Sequence, residues 1–264
     1  MAKRIIKDYD KEIKYITDWI QEYFANNGSM DTKAIIGISG GKDSTVVAWL
    51  CARALGPERV VGVKMPQGVQ HDIDCADRVI KELGILDYEI NVGKMVEAVN
   101  QELNIAFGML PNQVTFNVPP RIRMTVLYAV AAALGGRVAN TSNLSERTVG
   151  WSTKWGDGVG DFAPLADYTV DEIMGLGEHL GIPEDLLYKD PEDGLTGKSD
   201  EENLGVTYEQ IDQYIRSDEH PEPYDAYKII KDRDKMSKHK WLMLPHPHAN
   251  VEWDENRGID DFYF

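Results

Sequence analysis

The chain has 264 residues, with 44 acidic against 28 basic side chains and a formal net charge of -16. So anionic a surface repels nucleic acid phosphates and argues against a nucleic acid partner, while a chain of this length buries a self-sufficient core without disulfides or a structural metal. No run of about 18 apolar residues occurs, so no membrane-spanning helix and no membrane partner are expected.

The opening Met1-Ala2-Lys3-Arg4-Ile5-Ile6-Lys7-Asp8 returns to charge too soon for a secretion signal. Ile13, Ile16, Ile20 and Phe24 recur at helical spacing and predict a helix over Asp10 to Phe24. Ala34-Ile35-Ile36-Gly37-Ile38 is a short, nearly unbroken apolar run, the pattern of a strand buried on both faces of a parallel sheet. A glycine-rich turn follows, then a helix carrying Val46, Val47, Leu50 and Ala54 to Gly56-Pro57, with Cys51 inside it. Arg59 to Met65 reads as the second strand. Asp72 is placed to cap a helix, containing Cys75, that runs to Gly84. Neither cysteine has a CxxC partner or a neighbouring His, so both read as small, buried, reduced thiols of a cytoplasmic protein.

Tyr88 to Val92 reads as the third strand, followed by a helix over Gly93 to Phe107. Another helix is expected to open at Pro119-Pro120, where proline suits the first turn, and to run to Gly135-Gly136 before a fourth strand, Arg137 to Thr141. Strands alternating with helices predict a doubly wound, mainly parallel α/β sheet with helices on both faces and ligands at the carboxyl ends of its strands. Gly150 to Tyr168, rich in Gly, Trp and Asp, reads as a long binding loop. Helices over Thr169 to Leu180, Thr207 to Ile215 and Pro223 to Lys240 complete the chain around a polar segment, Lys189 to Asn203.

The sharpest motif is Ser39-Gly40-Gly41-Lys42-Asp43-Ser44 between the first strand and its helix, preceded by Gly37 and Ile38. Two glycines bring backbone amides close to an anion, the following helix adds its N-terminal dipole, and Lys42 adds a charge. A Walker A loop fails on spacing, because only three residues separate Gly37 from Gly41 and Asp43 interrupts Lys42 and Ser44. A carboxylate inside a phosphate cradle repels its ligand unless a divalent cation bridges them, so Asp43 is a candidate Mg²⁺ ligand. The bland reading is a tight turn with Asp43 as a helix cap.

This loop resembles the fingerprint of the ATP pyrophosphatases, and five further segments resemble one branch of them, the ammonia-dependent NAD synthetases. These are Asn117 to Met124, similar to an Asn-x-x-x-Arg-x-Arg-Met helix start; Thr141 to Glu146; Thr153 to Gly158 followed by Asp161; Leu204 to Tyr208; and His239-Lys240. The resemblance covers nearly the whole chain and implies an adenine nucleotide alpha hydrolase-like fold with C-terminal helices. It implies ATP as co-substrate, held by Gly37 to Ser44, Lys64 and Thr141, and Mg²⁺ on Asp43 and Glu146. It implies deamido-NAD on Arg121, Lys154, Asp161, His239 and Lys240, with Asp43, Lys42 and Lys154 serving the chemistry. Three positions depart from the pattern: Lys64 stands where the family often has Arg, Val170 where it has Lys, and Glu192 where it has Thr. Lys189 to Lys198 resembles a family variant, Asp-Gly-Leu-x-Gly, expected to fold over substrate.

The reaction implied is C–N bond formation: the nicotinate carboxylate attacks the α-phosphate of ATP, and ammonia then displaces AMP. The synthetase pattern begins within the first 40 residues, so 1–264 is expected to be one synthetase domain without a glutaminase domain, with free ammonia as direct donor and a separate glutaminase partner left open. The family also implies a homodimer. Two rivals stand beside this reading. Another ATP pyrophosphatase, a tRNA thiolase or GMP synthetase core, lacks support because thiolation wants reactive cysteines and a basic surface. A non-catalytic adenine-nucleotide sensor would have little use for a carboxylate inside the phosphate loop.

Overall fold

The computed structural model describes residues 6–68, 73–188, 199–217 and 220–242. In chain order the elements are α1 (Tyr9–Asn27), β1 (Lys33–Gly37), α2 (Lys42–Leu55), β2 (Val60–Lys64), α3 (Ile73–Leu83), β3 (Leu86–Glu89), α4 (Gly93–Phe107), α5 (Asn112–Leu134) and β4 (Gly136–Val138). They continue as α6 (Leu144–Val149), α7 (Val170–Leu180), α8 (Glu184–Leu187), α9 (Asp200–Leu204), α10 (Tyr208–Arg216) and α11 (Tyr224–Ser237). No helix among the described residues is long and apolar enough to cross a membrane.

The four strands pair in parallel in the order β3-β2-β1-β4. The chain therefore moves outward from β1 to β3 and then returns to add β4 on the other side of β1. The direction of winding reverses between β1 and β4, which opens a crevice at the carboxyl ends of those two strands.

The unbroken apolar run of β1 follows from this position. Ala34 and Ile36 point into one core with Val60 and residues of α1, α2 and α7, among them Ile16, Val47 and Leu176. Ile35 points the opposite way, with Val61, Val63 and Val138, against Met124, Leu127 and Ala131 of α5. Neither face meets water, so the alternation of a half-exposed strand is missing, and each isoleucine contributes about 1.5–3 kcal/mol by burial. On α1 the expected stripe of Ile13, Ile16, Ile20 and Phe24 is buried throughout, and Asp8 caps the helix by accepting from the Lys11 N–H at 3.1 Å.

Three boundaries differ from expectation in ways that tertiary packing explains. Helix α5 begins at Asn112, so Pro119 and Pro120 lie inside it and not in its first turn. Each proline removes a helical hydrogen bond, but Val118 packs with Val92, Val96 and Val126, and that burial keeps the segment helical. Strand β3 is the four residues Leu86–Glu89; Val92, expected in it, instead precedes α4 and is fully buried. Strand β4 stops at Val138: the Ala139 N–H still donates to the Ile35 carbonyl of β1 at 2.9 Å, but Ala139 also bridges Phe162, and the Asn140 N–H turns to the Phe162 carbonyl at 2.8 Å. A short helix, α6, follows over a stretch with no predicted element. The expected cap Asp72 and the segment 189–198, with Glu192, lie outside the described residues.

A third cluster, Val149, Leu204, Val206, Ile211, Ala226 and Ile230 with Tyr208, packs α9, α10 and α11 onto α6. It therefore anchors the C-terminal helices to the chain leaving β4. One glycine is needed for close approach of strands: a Cβ on Gly136 would stand 2.5 Å from Ile35 Cγ1 and 3.0 Å from the Lys33 carbonyl oxygen. Gly136→Ala is expected to lower stability by about 1–3 kcal/mol, read as a shifted urea midpoint at constant slope; an unmoved midpoint would show that the sheet has slack at the β1–β4 seam.

Candidate active site

The loop 39–44 leaves β1 at the winding reversal. The Ile38 N–H still donates to the Val63 carbonyl at 3.0 Å, so the turn starts from a rigid edge. Gly40 has φ +79°, and a Cβ there would come within 2.8 Å of Cys75 Cβ and 3.0 Å of the Ala76 nitrogen. Only glycine fits that position. Cys75, a free thiol, is partly exposed and not fully buried as expected, whereas Cys51 is buried. Helix α2 begins at Lys42 with Gly41 as its N-cap and no side-chain cap. The first-turn N–H groups and the positive end of the helix dipole are thus left for an anion.

The hydroxyls tie the loop to itself. Ser44 Oγ donates to the Gly41 carbonyl at 3.1 Å and accepts from the Ser39 N–H at 3.3 Å, while Thr45 Oγ1 donates to the same Gly41 carbonyl at 2.8 Å. Lys42 Nζ lies 3.0 Å from Asp43 Oδ2, with both side chains largely buried. Burial by itself works against the lysine charge, but the neighbouring carboxylates of Asp43 and Glu146 outweigh it and hold Lys42 firmly protonated.

The chain leaving β4 forms the opposite wall. Asn143 caps α6 in a capping box: its Oδ1 accepts from the Glu146 N–H at 2.9 Å, and Glu146 Oε2 accepts from the Asn143 N–H at 3.4 Å. The remaining amide of Asn143 donates to Asp43 Oδ1 at 3.1 Å. One fully buried asparagine therefore ties the acid of the phosphate loop to the acid of α6. Burial first, and then the Asp43 charge, push the Glu146 carboxyl well above the ordinary carboxylate range, with Lys42 offsetting part of the effect.

Between the two walls lies a cavity of about 180 Å³, lined by Ser39, Gly41, Asp43 and Ser44 on one side and Thr141, Ser142 and Glu146 on the other, with Asp157. No group of three or more His, Cys, Asp or Glu side chains forms a metal cage among the described residues. A cage is not what a nucleotide-borne Mg²⁺ requires, since it takes one or two carboxylates and fills its shell with water and phosphate oxygens. Asp43 and Glu146 fit that donor set.

The residues expected to hold the second substrate gather around the loop 150–161. Lys154 Nζ donates to the His239 carbonyl at 2.5 Å and sits over the Trp155 ring, and Arg121 Nε donates to the Lys154 carbonyl at 3.3 Å. Lys240 Nζ donates to the carbonyls of Gly150 and Ser152, each at 2.6 Å. Asp161 accepts from Tyr128 of α5 at 3.2 Å and from the Val138 N–H at 2.7 Å. Thr153 Oγ1 donates to Asn117 Oδ1 at 2.8 Å, which docks the loop on α5. Asp157, accepting from the Thr153 N–H at 2.8 Å, belongs to this loop and also lines the cavity, so it joins the two groups.

Lys64 is placed elsewhere. Its Nζ pairs with Asp77 of α3 and lies 3.4 Å from Asp87 and 3.3 Å from Glu89 of β3, outside the cavity lining. Val170 follows the N-cap Thr169 of α7 and packs beside the C-terminal cluster. Asn143, Asp157 and Tyr208 lie in the segments that resemble the family, but none of them carries an expected role in the site. The Asn143-x-x-Glu146 spacing of a capping box was a usable signal for the first; nothing in the spacing of the other two sets them apart from surface polar residues.

A family profile described as NAD synthase matches residues 12–243. An NH(3)-dependent NAD(+) synthetase of Pyrococcus horikoshii is 40% identical over 213 residues, which is 80% of this chain and 79% of that protein. Another, of Archaeoglobus fulgidus, is 35% identical over 244 residues, 90% of this chain and 96% of that one. The solved NMN synthetase of Francisella tularensis superposes with a TM-score of 0.83 at 28% identity, covering 92% of this chain and all of that chain. A parallel sheet that reverses between β1 and β4, a phosphate loop at the reversal, and likeness along nearly the full length lead to one conclusion: this chain belongs to the NAD synthase family.

Proposed function

We propose that the chain is an ammonia-dependent NAD synthetase, a ligase that amidates deamido-NAD at the expense of ATP. The observation that carries this reading is the pair of carboxylates, Asp43 and Glu146, brought from opposite sides of the β1–β4 crevice into one cavity with the phosphate loop and joined through Asn143. The curated relatives that match this chain over most of their own length are NH(3)-dependent enzymes, which supports free ammonia as the nitrogen donor.

In this mechanism the nicotinate carboxylate attacks the α-phosphate of ATP, forming the carboxyl–phosphate bond and breaking the α–β bridge to release pyrophosphate. Ammonia then attacks the activated carbonyl and AMP leaves. The substrate supplies the first nucleophile, so the protein's contribution is alignment and charge stabilisation. The amides of 39–44 and the dipole of α2 hold the outer phosphates, Lys42 adds a fixed positive charge, and Thr141 lies across the cavity from them. Mg²⁺, held by Asp43 and Glu146, would neutralise charge on the departing pyrophosphate. Arg121, Lys154, Asp161, His239 and Lys240 are the set proposed to hold the dinucleotide, and Asp157 stands where the two substrates meet. A homodimer and a cytoplasmic location complete the proposal; the apolar residues left exposed on α4 and α5, such as Ile105, Phe107 and Phe116, supply a surface for a second copy.

A second reading, amidation of the corresponding mononucleotide, is favoured by the closeness of the Francisella tularensis NMN synthetase fold. The two share the same chemistry and are separated by comparing kcat/KM for deamido-NAD and for nicotinate mononucleotide.

With ATP, Mg²⁺, ammonium and deamido-NAD, the purified protein is expected to yield AMP and NAD in equal amounts; binding of ATP without turnover would turn the assignment to a sensor. Asp43→Asn is expected to lower kcat by about 10²–10³-fold while KM for ATP moves far less, because the lost group serves the metal. Unchanged turnover removes Asp43 from the metal site. A raised carboxyl pKa means that the native state holds its proton more tightly, so Glu146 costs stability as pH climbs from the ordinary carboxylate value through its folded value. Without divalent cations, Glu146→Gln should therefore unfold at higher urea than the parent at pH 8, with the gap closing towards pH 5; a gap independent of pH would refute the proposed burden on Glu146.

A further inference from the structure

The segment Leu204 to Tyr208 matches its family pattern in order and spacing, yet none of the roles above uses it. Its last residue opens α10, in the C-terminal unit, and reaches the phosphate loop. The ring of Tyr208 lies 5.4 Å from Lys42 Nζ, measured to the ring centroid. Tyr208 is 8% exposed. We infer that Tyr208 is a positioning residue of the phosphate loop, its ring forming the floor that keeps the Lys42 ammonium in place for ATP. The inference rests on the ATP reading proposed above.

Lysine is a point charge on a flexible four-carbon stem and selects no direction by itself. Here the ammonium is largely withdrawn from water, with the Asp43 carboxylate on one side and the electron-rich ring face on another. A ring face replaces part of the lost hydration without neutralising the charge, so Lys42 stays a full cation for phosphate. A third carboxylate in that place would compete with the ligand.

The ring itself is held at three points. Its hydroxyl donates to Asp200 Oδ2 at 3.0 Å, and its backbone N–H donates to Glu201 Oε1 at 2.8 Å, both acceptors belonging to α9. Its apolar edge packs among Val149, Leu204, Val206 and Ile211. Thr207 caps α10 in a capping box with Gln210, which fixes the helix end that carries the ring. The floor of the phosphate loop is therefore built by α9 and α10, elements that follow β4 by more than sixty residues in sequence.

Tyr208→Leu removes the ring and is expected to raise KM for ATP about 3- to 10-fold with KM for deamido-NAD unchanged. Tyr208→Phe keeps the ring and loses the tie to Asp200; its KM for ATP should stay within about twofold of the parent. A merely structural role would lower the melting temperature and the active fraction in both variants while leaving both KM values alone. Should Tyr208→Leu fail to fold, phenylalanine analogues with increasing ring fluorination at position 208 keep the shape and weaken the ring face, and KM for ATP should climb with each fluorine. A flat series, or a Tyr208→Leu protein with unchanged KM for ATP, overturns the inference. A parent protein that shows no ATP-dependent turnover would instead overturn the reading beneath it.

Discussion

The site depends on one constraint: two carboxylates must be held close together in a partly dry crevice without driving each other apart. Asp43 comes from the turn after β1 and Glu146 from the helix after β4. Burial and the neighbouring Asp43 make Glu146 costly to keep ionised. Three features relieve the strain. Lys42 lies against Asp43, Asn143 donates its side-chain amide to Asp43 and its backbone N–H to the Glu146 carboxylate, and the capping geometry of α6 holds the Glu146 side chain at the helix N-terminus, where negative charge is favoured. The arrangement keeps both acids in one cavity, where the proposed Mg²⁺ would meet them.

The sheet topology is what makes the meeting possible. Neighbouring parallel strands deliver their following loops to the same edge, but successive right-handed crossovers would stack those loops over one face. Reversal between β1 and β4 sends one loop to each side and leaves a gap between them. The β1–β4 ladder sets how far apart the two strand ends stand, and Met124, Leu127 and Ala131 of α5 back it by packing on Ile35 and Val138. Core packing on that face therefore supports the strand ends from which both walls of the site depart.

The C-terminal helices enlarge this picture. They pack on α6 through Val149 and bring Tyr208 beneath Lys42. At the same time Lys240 and the His239 carbonyl secure the loop that carries Lys154 and Asp157. The groups proposed for ATP and for the second substrate thus both lean on the same late segment of chain.

How much of this was legible beforehand differs from element to element. The apolar run at 34–38 and the glycines after it announced a buried parallel strand and an anion turn, because both patterns are local consequences of backbone geometry. The stripe on α1 was equally plain, being a matter of spacing. The start of α5 was not, since Pro119 and Pro120 argue locally for a helix beginning and only burial of Val118 against Val92 and Val96 overrides them. The resemblance identified Asp43 and Glu146 as partners, but a distance between residues about a hundred positions apart is a property of topology. Asn143 as their link, Lys64 withdrawn among Asp77, Asp87 and Glu89, and Tyr208 under Lys42 were all decided by tertiary structure. Sequence by itself determined which local shapes and charges this protein possesses; the fold alone decided which of them meet, because contact across the β1–β4 crevice depends on packing that no local pattern encodes.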